Sequence, residues 1–243
     1  DFIRKLFETE VPEVHEHVIE IRAMSREPGF RTKIAVTSND SKIDPVGACV
    51  GVRGSRIRNI VEELGGEKID IVRWNESSQV LISNALKPAE VEDVSLCFEL
   101  GRATIVVRDD QLSLAIGRRG QNVRLAARLT GWDIDILTPD EYTKGLEVLW
   151  EALKEIDGVS EDMLDRMAAM GMISVFDVEE IGRNVMVTDL EIAEQIADRC
   201  VEAAIIKSKE VTAQREAEKE AEEARALEEE AAAAAVLDGE VDE

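Results

Sequence analysis

Two short glycine motifs contain the residue types in this sequence whose spacing could bind a phosphate group. Each reads Gly-X-X-Gly, at 51–54 and at 117–120, and each precedes a stretch with helical apolar spacing. Small residues at such a turn let a phosphate approach the backbone N–H groups at the N-terminus of the next helix, where the helix dipole favours an anion. The alternative is a plain connection between two helices, in which glycine only relieves strain.

Arginines cluster at both glycine motifs. Residues 50–61 contain three arginines and no acidic residue, and residues 112–132 contain four arginines and no acidic residue. Positive charge of this kind is what a phosphate backbone requires, so we favour phosphate contact over a solvated charged turn. The arginines concerned are Arg53, Arg56, Arg58, Arg118, Arg119, Arg124 and Arg128.

The net charge of −23 is unevenly distributed along the chain. Residues 1–139 hold 19 Lys or Arg and 22 Asp or Glu, whereas residues 140–243 hold 10 and 30. A nearly balanced first half is compatible with a polyanionic ligand, while the acidic second half would repel one.

Apolar periodicity predicts the same order of elements, α-β-β-α-α-β, around each motif. The two motifs superpose at an offset of 66 residues, and two Ile-Asp-Ile strands superpose at an offset of 65, so we infer a duplication. The first copy has helices at 2–8, 46–50 and 57–64 and strands at about 17–25, 31–37 and 68–74. The second has helices at 77–86, 112–116 and 123–129 and strands at 92–99, 102–108 and 132–137.

Long stretches around these motifs resemble one family. Residues 44–51 (DPVGACVG), 66–71 (GEKIDI), 109–117 (DDQLSLAIG) and 120–132 (GQNVRLAARLTGW) are similar to the NusA family of bacterial transcription factors. The resemblance covers roughly residues 1–138. It implies KH domains, in which a Gly-X-X-Gly loop clamps about four backbone nucleotides.

The fold class implied is α+β, with two tandem type II KH domains at 1–76 and 77–139. The resemblance implies binding of extended single-stranded RNA as it leaves RNA polymerase, with effects on pausing, termination and antitermination. It also implies RNA polymerase and other elongation or antitermination factors as partners, in the bacterial cytoplasm. Carried over by position, the RNA contacts are Gly51, Val52, Arg53, Gly54, Ser55 and Arg56 in the first module. In the second module they are Gly117, Arg118, Arg119, Gly120, Gln121, Asn122 and Arg124. We add Arg58 and Arg128 because both are positively charged and lie close to the loops in the sequence.

The start of the chain, Asp1-Phe2-Ile3, lacks an initiator methionine and a signal peptide, which is typical of a fragment of a longer polypeptide. NusA-like proteins carry a polymerase-binding domain and an OB-fold domain before the KH pair. Polymerase binding by the present chain is therefore an open expectation.

The acidic second half divides into two parts. Residues 140–206 are predicted to be a small all-α domain broken near Asp157-Gly158, Gly171 and Gly182, with a helix-hairpin-helix-like segment at 149–169. Ser160 stands where the nucleic-acid-binding form of that motif has a glycine, so we favour a protein-interaction module over a structural appendage. Residues 207–243 read as an acidic tail, helical near 216–230 and disordered over the last dozen residues. We further hypothesise that this acidic half competes with RNA for the arginines.

Several scattered residues are assigned to packing rather than to function. Trp74 and Trp132 stand at strand ends, where core or interface packing is favoured over base stacking. The histidines are expected on a strand edge and the cysteines in the core of a protein in a reducing compartment. The histidines are His15 and His17, and the cysteines are Cys49, Cys97 and Cys200. Two further groups are assigned to packing: the methionines Met163, Met167, Met170 and Met172 to a core, and Val80, Leu81, Ala85 and Leu86 of the helix that links the two modules to burial against either module.

Other function classes fit the sequence less well. No phosphate-loop Lys-Ser/Thr, dinucleotide fingerprint or Ser-His-Asp arrangement is present, so we predict no enzyme activity, no metal and no cofactor. No apolar run approaches the roughly 20 residues of a membrane span. We also expect a monomer. A ribosome-associated KH protein and a KH-fold scaffold that has lost RNA binding are the alternatives left open.

Overall fold

The computed structural model describes residues 2–239, with side chains at 2–221, 224 and 225. The first module has the predicted α-β-β-α-α-β order, and a short extra helix, α2, follows the first. Its elements are α1 (Phe2–Glu10), α2 (Pro12–His15), β1 (Ile19–Glu27), β2 (Arg31–Ser38), α3 (Pro45–Val50), α4 (Ser55–Glu63) and β3 (Lys68–Arg73).

The second module repeats this order without an equivalent of α2. The two modules are therefore two copies of one α-β-β-α-α-β unit, as the sequence predicted. Its elements are α5 (Ser78–Leu86), β4 (Asp93–Cys97), β5 (Arg102–Val106), α6 (Asp109–Ile116), α7 (Gln121–Thr130) and β6 (Asp133–Leu137).

Each module contains a three-stranded sheet with its second strand in the centre. In the first sheet β2 pairs antiparallel with β1 and parallel with β3, and in the second sheet β5 pairs in the same way with β4 and β6. A hairpin turn permits the antiparallel pair, whereas the parallel pair needs a crossover, which the two helices after the central strand supply. The glycine motif lies within that crossover.

The central strand β2 is buried on both faces, which explains its continuous apolar run Ile34-Ala35-Val36. Ile34 and Val36 face the core of the first module, together with Phe7 of α1 and Ile60 of α4. Ala35 faces the opposite side and belongs to a second cluster. The first sheet is thus covered on one face by its own helices and on the other by part of the second module.

The second cluster is shared between the modules. Ala35 and Val72 of the first sheet join a buried set that includes Ile82 of α5 and Ala126 of α7. Helix α5, which links the modules, buries Leu81, Ala85 and Leu86 in this cluster, and the sequence predicted that these residues would pack against either module. The expectation was wrong for Val80, which is 43% exposed, and Ile82 is buried in its stead. The two modules form a single compact unit, which extends to Lys144 and also includes residues Ala168–Gly171.

A second compact unit is all helical. It contains most of α8 (Pro139–Leu153) and of α9 (Glu161–Ala169), then α10 (Val175–Thr188) and α11 (Glu194–Gly239). The predicted break at Gly182 is present, since that residue interrupts α10 with φ 69° and ψ −177°. Ser174 and Asp177 form a capping box at the start of α10. The predicted core role of the methionines is confirmed for Met163, Met167 and Met172, which are buried.

The acidic tail differs from its prediction. Helix α11 is continuous through Gly239, whereas the composition predicted disorder for the last dozen residues. Ala, Glu, Lys and Arg dominate this stretch, and their high helix propensity gives a physical reason for the continuation. Residues 240–243 lie outside the described part of the chain.

The histidines and cysteines are placed as follows. His15 ends α2 and His17 lies in a turn with φ 59°, so the strand-edge prediction was wrong; β1 begins two residues after His17. All three cysteines are buried, which confirms them as core residues. Over the described residues, no helix is at once long and apolar enough to cross a bilayer.

Candidate nucleic-acid interface

The two glycine loops have the same backbone conformation. Gly51 and Gly117 have φ near 75° with ψ of 174° and 171°, and Gly54 and Gly120 have φ of 76° and 71° with ψ of 19° and 15°. In each loop the third residue is an arginine with a left-handed conformation. The duplication seen in the sequence therefore extends to individual dihedral angles.

Backbone hydrogen bonds also repeat between the loops. The N–H of Gly51 donates to Gly47 and that of Gly117 donates to Ser113, each at 2.9 Å, closing the preceding helix. The N–H of the last glycine donates to the first glycine's carbonyl at 3.1 Å in both loops. These bonds fix each loop as a tight turn between its two helices.

The first glycine of each loop lies against the helix that follows. A Cβ atom at Gly117 would stand 2.9 Å from the backbone nitrogen of Asn122, and one at Gly51 would stand 2.8 Å from Cγ of Arg56. A Cβ atom at Gly54 or Gly120, the last glycines, would have its nearest neighbours 3.9 and 4.0 Å away, respectively. The loop surface is therefore open beside the last glycine, where a phosphate could approach the backbone.

The N-termini of α4 and α7 are available for an anion. Neither helix has a side chain that caps its first N–H groups, and neither has an acidic residue in its first turn. The unsatisfied N–H groups and the helix dipole both favour negative charge there.

Several of the predicted site residues point into solvent beside these N-termini. Val52, at the tip of the first loop, is 84% exposed. Within the described residues, no ion pair engages the loop arginines Arg53, Arg118 and Arg119. The exposed members of the predicted set are Val52, Arg53, Ser55, Arg58, Arg118, Arg119, Arg124 and Arg128.

Arg56, which the sequence predicted as an RNA contact, is held by the protein itself. Its Nη1 donates to the carbonyl oxygen of Ala48 at 2.7 Å and to Oε2 of Glu13 at 2.9 Å. The guanidinium is thus committed to closing α3 and to tying α4 to α2. Arg58, by contrast, is exposed and donates to the carbonyl oxygen of Arg53 at 3.0 Å, inside its own loop.

Asn122 occupies the position equivalent to Arg56 and is likewise structural. Its side chain is 1% exposed, and its Nδ2 donates to the carbonyl oxygens of Leu86, Leu114 and Ala115. The side chain of this predicted RNA contact is therefore buried inside the protein.

Arg124 and Gln121 are both engaged by a carboxylate from the other module. Arg124 Nε donates to Oε1 of Glu27 at 2.6 Å, and Gln121 Nε2 donates to Oε2 of Glu27 at 2.8 Å. The hydrogen bond from Arg124 is the largest cause that lowers the pKa of Glu27. These two predicted contacts therefore belong to the junction between the modules.

Apolar surface lies next to both loops. A cavity of about 410 Å³ opens beside the first loop, bordered by Ile43, Ala48 and Val52. In the second module Leu114 stands at the position equivalent to Ala48 and is 47% exposed. Each module therefore offers a non-aromatic apolar edge against which a base could lie.

The tryptophans occupy packing positions. Trp74 and Trp132 are both half-buried against the core shared by the modules, which supports the packing interpretation. The guanidinium of Arg22 lies 5.4 Å from the Trp74 ring centre, and Phe98 meets Trp132 edge-on at 5.2 Å between centroids.

Comparison with known proteins identifies both modules. A NusA-like first KH domain matches residues 1–74, and a NusA-like second KH domain matches residues 78–144. The chain belongs to the NusA family.

Named NusA relatives agree with this assignment. The chain is similar to the transcription termination/antitermination protein NusA of Halalkalibacterium halodurans, with 52% identity over 139 residues, or 57% of this chain and 36% of that protein. It is 42% identical over 197 residues to the NusA of Rickettsia prowazekii, which is 79% of this chain and 36% of that protein. The second alignment is longer than the KH pair, so similarity to NusA extends into the helical unit. The chain spans 36% of the length of each relative.

A solved structure, the crystal structure of APE1850, aligns with 56% of this chain and 94% of its own. The TM-score is 0.42 and the sequence identity is 20%, so this likeness adds nothing to the NusA assignment.

Reasoning from the sequence missed two acidic residues in the pair of KH domains. Glu13 holds Arg56, and Glu27 holds Arg124 and Gln121. Glu27 stands in a Glu-Pro-Gly turn and looks like an ordinary turn residue, while Glu13 lies in a short helix that periodicity did not reveal. No local signal marks either residue, since the partners lie 43 and 97 positions away.

Proposed function

We propose that this chain binds single-stranded RNA along its two glycine loops, as the RNA-binding part of a NusA-type transcription factor. The observation that carries the proposal is the repeated loop: two uncapped helix N-termini in one compact unit, each beside a solvent-exposed arginine with a left-handed backbone. Backbone N–H groups and guanidinium groups together suit a ribose-phosphate chain.

The residues proposed to contact RNA form a smaller set than the sequence suggested. Loop glycines admit the backbone, arginines without ion pairs neutralise phosphates, and the apolar edges receive bases. The proposed contacts are Gly51, Val52, Arg53, Gly54, Ser55 and Arg58 in the first module, and Gly117, Arg118, Arg119, Gly120 and Arg128 in the second.

The wider function is proposed from the family. The relatives are named as transcription termination/antitermination proteins, so we propose that the ligand is nascent RNA and that the complete factor modulates pausing, termination and antitermination. RNA polymerase and other elongation factors are the proposed partners, in the bacterial cytoplasm, with the chain acting as a monomer. The acidic helical unit is proposed to bind protein, because its charge disfavours RNA.

A salt-series titration with unstructured RNA tests the site. Val52→Asp/Arg53→Asp and Arg118→Asp/Arg119→Asp should each weaken binding and flatten the dependence of log K on log salt. For single strands the slope should change by roughly 0.7 for each phosphate that the variant no longer neutralises.

Lys68→Asp is a control for charge reversal as such, since it reverses one exposed charge at the start of β3, outside both loops. It should leave the slope close to that of the wild type. Equal binding by the wild type and both loop variants would refute the RNA site and favour a KH-fold scaffold for protein partners.

A further inference from the structure

At the junction between the two modules, the acidic side chain of Glu27 is linked to the second glycine loop through Arg124. Glu27 is the last residue of β1 in the first module, and its two carboxylate oxygens accept from Arg124 and Gln121 at 2.6 and 2.8 Å. Arg124 Nη1 donates in turn to the carbonyl oxygen of Arg119 at 3.2 Å. A hydrogen-bonded chain therefore runs from the first module to the backbone of the second loop.

The residue at the end of this chain is conformationally unusual. Arg119 has φ 55° and ψ 33°, a left-handed conformation that costs a non-glycine residue free energy. A donor that holds its carbonyl oxygen helps to keep that conformation. Arg58 makes the equivalent bond to Arg53 in the first loop, but among the described side chains no carboxylate pairs with Arg58. The second loop thus has a support that the first lacks.

The strand end that presents Glu27 is itself firmly anchored. The neighbouring residue Arg26 donates through Nε and Nη2 to both oxygens of Glu67, each at 2.8 Å. Thr32 and the N–H of Gly29 also donate to Glu67, which is 1% exposed. The Arg26 guanidinium contributes most to lowering the pKa of Glu67 to about 2, so this carboxylate is ionised at neutral pH. Glu27 is therefore presented from a fixed hairpin.

We propose that Glu27 is a positioning residue for RNA binding: the first module holds the second loop in its binding conformation through Arg124. The proposal rests on the RNA-binding function proposed above. By fixing Arg124 and the Arg119 carbonyl before RNA arrives, Glu27 reduces the ordering that binding would otherwise require. It also makes the second loop dependent on the first module.

Electrostatics and positioning predict opposite signs for the loss of this carboxylate. Glu27 is a negative charge close to a phosphate site, so by charge alone its removal should tighten RNA binding. Removal also frees Arg124 to reach a phosphate itself. If Glu27 acts by positioning, its removal weakens binding even though an unfavourable charge has been taken away. The direction of the change therefore separates the two roles.

The test is Glu27→Gln in three backgrounds of the 243-residue chain, titrated with unstructured RNA: wild type, Val52→Asp/Arg53→Asp, and Arg118→Asp/Arg119→Asp. We expect roughly 3- to 10-fold weaker binding in the wild type and in the variant with a disabled first loop, where RNA depends on the second loop. We expect no further change where the second loop is already disabled. General loss of stability would instead weaken all three backgrounds equally.

Glu20→Gln is the matched control, because it removes one carboxylate from the same strand about 23 Å away at 3.3 Å per residue. It should leave binding unchanged in every background. Tighter, unchanged or equally weakened binding by Glu27→Gln in the three backgrounds overturns the positioning role. Failure of the underlying function is distinguishable, because the loop variants would then bind RNA as well as the wild type does.

Discussion

The two glycines of each loop do different physical work. Gly51 and Gly117 combine φ near 75° with ψ near 170°, a region that is essentially restricted to glycine. Gly54 and Gly120 lie in the left-handed helical region, which other residues enter at a modest cost. The first glycine is therefore a requirement of the fold, and the last keeps the surface open.

Alanine substitutions in the second loop should separate these roles. Gly120→Ala should lower the free energy of unfolding by about 1 kcal/mol, the approximate cost of a left-handed non-glycine residue. Gly117→Ala should lower it by about 3 kcal/mol or more, because the new Cβ also meets the Asn122 backbone at 2.9 Å. Urea unfolding followed by circular dichroism measures both values. An equal loss for the two variants would contradict the distinction.

At the scale of elements, helix α7 couples the two modules. It begins at the second loop, its residues Ala126 and Leu129 lie in the buried cluster that also contains Ala35 and Val72 of the first sheet, and its Arg124 reaches Glu27. The position of the second loop is therefore set by packing against the first module as well as by its own domain.

A cavity in the shared cluster should destabilise both modules together. Ile82→Ala on α5 should cost about 3 kcal/mol, the usual range for deleting a fully buried Ile side chain. Hydrogen exchange should then speed up in peptides from β2 and from β5 by similar factors. Val80→Ala on the same helix is the control, since Val80 is exposed and its truncation should change neither. Faster exchange confined to one sheet would argue against a common core.

At the scale of the whole molecule, charge and structure divide at nearly the same place. Apart from residues 168–171, the KH unit ends at Lys144; it is almost neutral, whereas the helical residues of the other unit hold most of the negative charge. Similarity to the Rickettsia relative extends past that boundary, into part of the helical unit. The charge of the second unit repels a polyanion such as RNA, whereas the nearly balanced first unit carries arginines at both glycine loops.

Removal of the acidic unit should therefore strengthen RNA binding. A chain ending at Lys144 should bind unstructured RNA several-fold more tightly than the full chain at low salt. The difference should shrink as salt screens the charges, with a Debye length of about 10 Å at 0.1 M. Fluorescence anisotropy at two salt concentrations measures the effect. Unchanged affinity at low salt would eliminate competition between the acidic unit and RNA.

The sequence by itself determined the duplication, the order of elements and the places of the two loops. These features depend on local patterns: apolar periodicity, glycines at fixed spacing and runs without acidic residues. The sequence did not reveal that α11 continues to Gly239. The prediction of disorder for the last dozen residues gave more weight to their low hydrophobicity than to their high helix propensity.

Only the tertiary structure decided which of the clustered polar residues have partners within the protein. Arg56, Asn122 and Arg124 look in the sequence like their exposed neighbours, yet the fold assigns them to Glu13, to buried carbonyl oxygens and to Glu27. The physical reason is range. A residue type and its spacing reveal what a side chain can do within one turn or strand, whereas its charge partner comes from a segment that packing brings close.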